Sequence, residues 1–340
     1  MEKSKARNAD IFFQLTKRHL LVFFKNKIRV FYTLLVPVII FVVYLLFLRD
    51  LEIGGIKSAL VQMGLEKPEW KSMTDALMQD AVFWKQVETL VDSWMICGIM
   101  GLSAITVSLQ TNTVIVEDKQ NGVNRDFASS PIHKSLIVGS YFFYNFIVTA
   151  LICALFLVIC LIYLAAVGEF VITFANFLTV LSVLFYSTVS ATLLTVFICS
   201  AVKTEGTMAS IVAIFSTAIG FLIGAYMPLG MLPTWVQGIC GFIPGTYSCS
   251  LLRYGFMATP IESLTQYVTQ TLGFEHAAEM LGTITNSFGY NLNFFGVTVT
   301  PQYQAVALAV FIVVFVFLNV GFGNKLAAVL GMGKKKKKKK

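Results

Sequence analysis

Between Glu117 and Lys134 the chain gathers charge and turn-forming residues: Glu117, Asp118, Lys119, Gln120, Asn121 and Gly122, then Arg125, Asp126, Phe127, Ser130, Pro131 and His133. Asn121–Gly122 marks a turn, and Val123 to Ala128 leaves room for about one or two helical turns before Ser130 and Pro131 stop them. A short amphipathic helix of this kind, with Phe127 as apolar anchor and Arg125 and Asp126 on its rim, fits a groove on a cytoplasmic partner. An ordinary interhelical loop is the competing reading. A second pattern is the stripe Ser103, Thr106, Gln110 and Thr113, whose spacing puts four polar side chains on one face of a helix. Such a stripe must face protein or water. Interhelical hydrogen bonds, worth about 0.6 kcal/mol each, and contact with a passing substrate both fit it, and Ser210 and Thr217 are weaker companions. A third segment, from Tyr226 to Arg253, is apolar but interrupted by Pro228, Pro233 and Pro244. Broken backbone sits at membrane depth only where protein or water satisfies its polar groups, so two short re-entrant helices hinged near Pro244 and Gly245 are expected, forming an external lid with Tyr247 and Arg253.

Enzymatic chemistry finds little support. His19, His133 and His276 are too scattered for a zinc site and read as surface residues, and the acids of 49–92 read as a solvated face. No metal site is expected. Cys97, Cys153, Cys160 and Cys199 fall in apolar runs as small fillers. Cys240 and Cys249 either pair in an outer segment or remain two buried thiols. The one Gly-Lys dipeptide, Gly333-Lys334, has Ala328 where a phosphate-binding loop needs Gly, and Lys where it needs Ser or Thr. The sequence given therefore hydrolyses no ATP by itself.

The elements that position these residues are membrane helices. Of 340 residues, 56% are hydrophobic and 13% charged, which leaves too little polar surface for a soluble domain. About 20 apolar residues cross the roughly 30 Å hydrocarbon layer as a helix. Uncharged runs place spans at 30–48, 93–116, 135–164, 172–200, 207–226 and 302–322. Glu169 falls between the third and fourth and belongs at an interface. The expected architecture is all-α: one polytopic domain over 1–340, with six transmembrane helices, an N-terminal amphipathic interfacial helix within 1–29, an outer loop at 49–92 and an outer re-entrant region at 227–301. In the first segment Phe12, Leu15, His19, Val22 and Phe23 share a face, Lys17, Arg18 and Lys25 lie elsewhere, and Asp10 caps the first turn. The outer loop is partly helical, and Trp84, Trp94 and Tyr44 suit the membrane interface.

Charge orients the spans. Segments 1–29, 117–134, 203–205 and 325–340 carry 20 of the 26 Lys and Arg but 6 of the 18 acids, so both termini are expected in the cytoplasm. The net charge of +8 then reflects leaflet asymmetry, not a nucleic-acid surface. The first run begins near residue 30, is full length and lacks a small-residue cleavage site, so it is expected to stay as a span. The run Lys334 to Lys340 reads as a solvated tail with some attraction to anionic membrane lipid.

In order, these parts resemble the ABC-2 type transporter permeases, a family of drug, antibiotic and polysaccharide exporters: the amphipathic first helix, the large outer loop, the Gly122 to Pro131 segment, and the stretch from Met227-Pro-Leu through Pro244 and Tyr247 to Arg253. The resemblance covers nearly the whole chain. It implies two permeases, alike or different, joined to two ABC ATPase subunits that hold ATP and Mg, with 117–134 passing ATP-driven closure into the membrane. It also implies that spans two and five line the central cavity and that efflux from a plasma membrane of bacterial type is the task. An ion-coupled transporter or channel is the alternative, but such proteins place ionisable groups inside spans, and none is expected here.

Overall fold

A computed structural model of the chain describes residues 2–168, 172–227, 229, 232–294 and 297–329. Glu169, Pro228 and Lys334 to Lys340 lie outside the described residues. Among the described residues six helices are long and apolar enough to cross a membrane: Lys27–Glu66, Ala81–Gln120, Lys134–Val167, Phe174–Ala201, Glu205–Leu222 and Pro301–Gly321. They match the six uncharged runs in order, and the architecture is helical apart from one short hairpin.

The chain enters through α1 (Glu2–Lys25). Nothing between Glu2 and Ala9 breaks a helix, so α1 starts ahead of Asp10, which lies inside it and caps nothing. Asn26 separates α1 from α2 (Lys27–Val43), accepting a hydrogen bond from Arg29 N at 3.1 Å. The first span does not stop at residue 48. It passes through a π-helical turn, Tyr44–Leu48, into α3 (Arg49–Glu66), and 40 continuous residues rise roughly 60 Å, twice the hydrocarbon thickness. The helix is therefore long enough to carry residues 49–66 beyond a hydrocarbon layer before α4 (Lys71–Gln79) turns back.

Asp80 then caps α5 (Ala81–Thr111), its carboxylate accepting from Val82 N at 2.9 Å and Phe83 N at 3.3 Å. Every residue from Thr89 to Leu109 is buried, so α5 is the axis around which the rest is packed. Gly98 explains one close approach: a Cβ there would lie 2.7 Å from the Ala225 carbonyl oxygen. Small residues let backbones meet where lipid supplies no hydrophobic drive.

Beyond a break at Asn112 come α6 (Thr113–Gln120) and α7 (Val123–Ser129), followed by α8 (Lys134–Val167), α9 (Phe174–Ala201) and α10 (Glu205–Leu222). Thr173 and Thr204 cap α9 and α10 through Asn176 N and Thr207 N. The stretch after α10 holds α11 (Thr234–Cys240), α12 (Pro244–Phe256), α13 (Ala258–Leu272) and α14 (Phe274–Ser287). An antiparallel hairpin, β1 (Leu292–Phe294) with β2 (Val297–Val299), leads into α15 (Pro301–Val329). Among these, α12 packs against α5, α9 and α15, while α13 rests on the outer part of α5.

Three sequence readings are corrected around Asp92: its solvation, the absence of ionisable groups from the long apolar helices, and the interfacial placement of Tyr44 and Trp94. Asp92 is fully buried, not solvated: Oδ1 accepts from Arg49 Nε at 2.9 Å and Tyr44 OH at 3.2 Å, and Oδ2 from Tyr163 OH at 2.8 Å. Arg49 also reaches Glu88 at 3.1 Å. An ionisable group thus does sit within the helix of span two, tolerated because both of its oxygens are occupied. The π turn makes this possible, since its bond from Arg49 N to Tyr44 O stacks side chains five residues apart on one side. Tyr44 and Trp94 are accordingly buried rather than interfacial, with Trp94 Nε1 donating to the Phe288 carbonyl at 2.8 Å. Cys240 and Cys249 are both free and buried, and Cys249 lies against α5 at Gly101.

Candidate functional site

Four consecutive residues at the end of α6 bind five different helices or helix ends. Glu117 meets Arg29 of α2 at 2.6 Å. Asp118 accepts both Arg18 guanidinium nitrogens of α1, at 2.5 and 2.7 Å, and the Tyr141 hydroxyl of α8 at 2.5 Å. The ammonium of Lys119 donates to the carbonyls of Cys199, Ser200 and Val202 at 2.8, 2.7 and 3.0 Å, filling the unsatisfied C-terminal end of α9, where a cation is favoured. Gln120 Oε1 accepts from Glu205 N, the first residue of α10, at 2.8 Å. Successive side chains on a helix point about 100° apart, so a short polar run can address neighbours on all sides. A displacement of α6 would therefore be felt by α1, α2, α8, α9 and α10 together.

The segment joined to this hub is α7. Gly122 supplies the turn, at φ +77°, a left-handed conformation that other residues adopt at a cost. Helix α7 ends at Ser130, and Pro131 is exposed just before α8. Arg125 and Asp126 are exposed, while Phe127 is half-buried with the Arg18 guanidinium 5.7 Å from its ring centre. Arg18 consequently bridges Asp118 on α6 and Phe127 on α7. The sequence reading placed Arg18 off the apolar face of the first helix and missed this link.

His19 is also corrected: it is buried, not on the surface, stacked on Tyr141 with ring centres 3.9 Å apart. Its Nδ1 faces Arg18 Nη1 at 3.1 Å and Asp118 at 3.8 Å, while Nε2 lies 3.2 Å from Ser140 Oγ and Tyr144 is its other aromatic neighbour. Desolvation, then the adjacent Arg18 charge, push its pKa from 6.5 down to about 4, against a smaller opposing pull from Asp118. The unfolded chain binds this proton between those values and the folded one does not, so stability rises with pH across that window. Thermal stability of the wild type in detergent should fall as pH drops from about 6.5 toward 4, and His19→Gln should flatten that slope. An identical slope in both proteins would show that His19 is not the titrating group. His133 is exposed, as expected, and the His276 side chain lies outside the described residues.

The polar stripe of span two faces protein within this chain. Ser103 and Thr106 are buried, Ser103 Oγ has no partner among the described residues, and Thr106 donates to Leu102 O at 3.1 Å. Gln110 is half-buried, and Thr113 borders a polar cleft of about 170 Å³ shared with Arg29, Glu117 and Glu205. Ser210 and Thr217 lie apart from the stripe, exposed on α10, their hydroxyls turned onto the carbonyls of Gly206 and Ala213. A denser network went unread: Asn145 Oδ1 accepts from Ser108 at 2.8 Å, Thr149 at 2.9 Å and Thr192 at 3.2 Å, and Thr195 joins Ser108 and Asn112. It stitches α5, α8 and α9 together immediately above the hub.

Of the outer residues, Pro233 precedes α11 and is exposed, whereas Pro244 opens α12 and is buried. Tyr247 OH donates to Gly241 O at 2.8 Å, tying α12 to the end of α11. Arg253 is 1% exposed and has no carboxylate beside it among the described residues; it donates to Gly224 O at 2.5 Å and Gly289 O at 3.3 Å, with the Trp94 ring 5.3 Å away. It thereby holds the bend after α10 and the turn after α14 onto α12.

A family model described as ABC-2 type transporter matches residues 11–257, well over half of the chain, from within α1 to just past the end of α12. The chain belongs to the ABC-2 type transporter family. It is the membrane domain of a transporter, a transport subunit with multiple spans. No curated protein matches the sequence. In this permease the α6–α7 unit joins the second and third of the six long apolar helices, and α11–α12 follows the fifth.

Proposed function

We propose that this permease is the membrane-spanning subunit of an ATP-driven exporter that moves a drug-like, lipid-like or peptide substrate from the cytoplasm or inner leaflet. A separate ABC ATPase subunit holds ATP and Mg, a second permease, alike or different, completes the pathway, and both termini face the cytoplasm of a bacterial-type plasma membrane. The observation that carries this reading is the fan of contacts from Glu117, Asp118, Lys119 and Gln120, which attaches the exposed rim of α7 to five helices at once. An ordinary loop would need no such anchorage. When the ATPase draws α7 inward, Arg18 and Asp118 carry the movement to α1 and α8, and Lys119 and Gln120 carry it to α9 and α10.

Helix α10 supports a second permease. Gly206, Ala209, Ser210, Ala213 and Thr217 are exposed along one of its faces, and small residues mark helix contacts in lipid. Packing two copies there sets Ser210 and Thr217 at the central cavity. On the outer side α11 and α12 act as the re-entrant lid, with Tyr247 and Arg253 as its fastenings.

The test uses the chain tagged at its N-terminus and purified gently from native membranes. A stoichiometric ABC ATPase should co-purify with the wild type and be lost with Phe127→Asp, which puts a carboxylate in place of the anchor and beside Arg18, while insertion is unchanged. Equal recovery of the ATPase with Phe127→Asp would remove α7 from the coupling role. Absence of any ATPase under several mild detergents would overturn the exporter reading.

A further inference from the structure

At the cytoplasmic end of α8, α9 and α15 an open cleft of about 310 Å³ faces away from α5. Its two ends differ in chemistry. Phe142, Val189 and Ile312 line the part nearer mid-membrane, whereas Lys134, Ser135 and Asn319 line the part nearer the cytoplasm. Lys134 is exposed and makes no ion pair among the described residues. It stands in the first turn of α8, which His133 leaves without a side-chain cap, so free backbone N–H groups and an ammonium meet at the mouth. Asn319 is 7% exposed; its Nδ2 is committed to Leu193 O at 2.9 Å and Phe315 O at 2.8 Å. Its Oδ1 accepts nothing from the described residues and borders the cleft, which is an acceptor waiting for a donor.

We propose that this cleft is a binding site for one anionic phospholipid of the cytoplasmic leaflet. An acyl chain fills the apolar depth, the phosphate meets Lys134 and the N-terminal turn of α8, and a headgroup hydroxyl donates to Asn319. Charge and depth agree: the ends of α8, α9 and α15 that border the mouth lie on the side where the basic segments collect, so the ammonium stands at headgroup level and the apolar walls at chain level. A zwitterionic lipid would fill the same walls but gain less from Lys134. The site depends on the chain spanning a membrane and not on the cargo or the ATPase.

Native mass spectrometry of the purified protein, titrated with phosphatidylglycerol or phosphatidylcholine in mixed micelles, tests it. Wild type should retain one phosphatidylglycerol in preference to phosphatidylcholine. Lys134→Ala should weaken phosphatidylglycerol retention about fivefold, the effect of one cation near a membrane surface, and leave phosphatidylcholine unchanged. Val138→Trp, which fills the cleft from α8, should abolish retention of both while the protein stays monodisperse. Equal loss of both lipids in Lys134→Ala would overturn the anionic headgroup assignment. Undiminished retention in a monodisperse Val138→Trp protein would overturn the site, and if that variant does not fold, the lipid preference of wild type against Lys134→Ala decides alone.

Discussion

Arg18→Ala is expected to lower stability by about 2–3 kcal/mol and to disconnect ATP hydrolysis from movement of the membrane helices. Asp118 is almost wholly buried and loses its bidentate partner. Breaking a buried ion pair from one side costs about 3–5 kcal/mol. Arg18 is about a third exposed, so water recovers part of that, and Tyr141 still donates to the stranded carboxylate. The charge on Arg18 is stabilised chiefly by its hydrogen bonds to Asp118, which raise its pKa against the cost of burial. Asp118→Ala removes the acceptor from Arg18 and Tyr141 together. The double variant should therefore lose less than the two single losses added, because the partners act as one unit. Denaturation midpoints of the four proteins in one detergent measure this coupling; strict additivity would mean that the pair contributes nothing beyond its separate groups.

Arg253→Met should produce the second large effect, and two opposing terms set its size. Removing a buried guanidinium from an apolar interior relieves desolvation, and its Nε already lacks a partner among the described residues. Against this, the carbonyls of Gly224 and Gly289 lose their donor, and each unsatisfied buried group costs about 1–3 kcal/mol. Both carbonyls belong to turns that cannot rearrange into a helix, so the loss wins and a net destabilisation of about 2 kcal/mol is expected. Arg253→Lys should rescue it only partly, since an ammonium does not span two acceptors as a planar fork does. The readout is local: Cys249 lies one turn from Arg253 on α12 and is buried. Its labelling by a membrane-impermeant thiol reagent should rise several-fold in Arg253→Met. Unchanged labelling and an unchanged midpoint would show that the outer segment does not rely on Arg253.

The spans were readable because each is a local property: an uncharged run of sufficient length is a helix in lipid whatever surrounds it. Helix α7 was readable for the same reason, from Asn121-Gly122 before it and Ser130-Pro131 after it. What escaped was pairing. Arg18 and Asp118 are 100 residues apart, Lys119 and Val202 are 83 apart, and Arg29 and Glu117 are 88 apart; nothing near any of them in sequence names its partner. Asp92 was misread because it borders an apolar run and looks like the last residue of a loop. A signal was nevertheless present, since Tyr44 and Arg49 flank the opposite end of span one at the same membrane level. His19 carried a sharper one: it shares the apolar face of α1 with Leu15 and Phe23, and a histidine on the inward face of an amphipathic helix is placed to be buried. The hairpin at Leu292–Val299 and the helices α13 and α14 lie in a polar stretch with no long apolar run, where the membrane imposes no pattern to read.

The most direct test of the α6 hub is a distance measured across it as ATP binds. Spin labels on the exposed positions Ser129 of α7 and Ile214 of α10 suit double electron–electron resonance, because all six native cysteines are buried. With the co-purified ATPase in nanodiscs, the distance should shift when ATP is trapped, and the shift should vanish in Asp118→Asn although ATP still binds. A shift of the same size in Asp118→Asn would contradict the account, since the helices would then move without the hub.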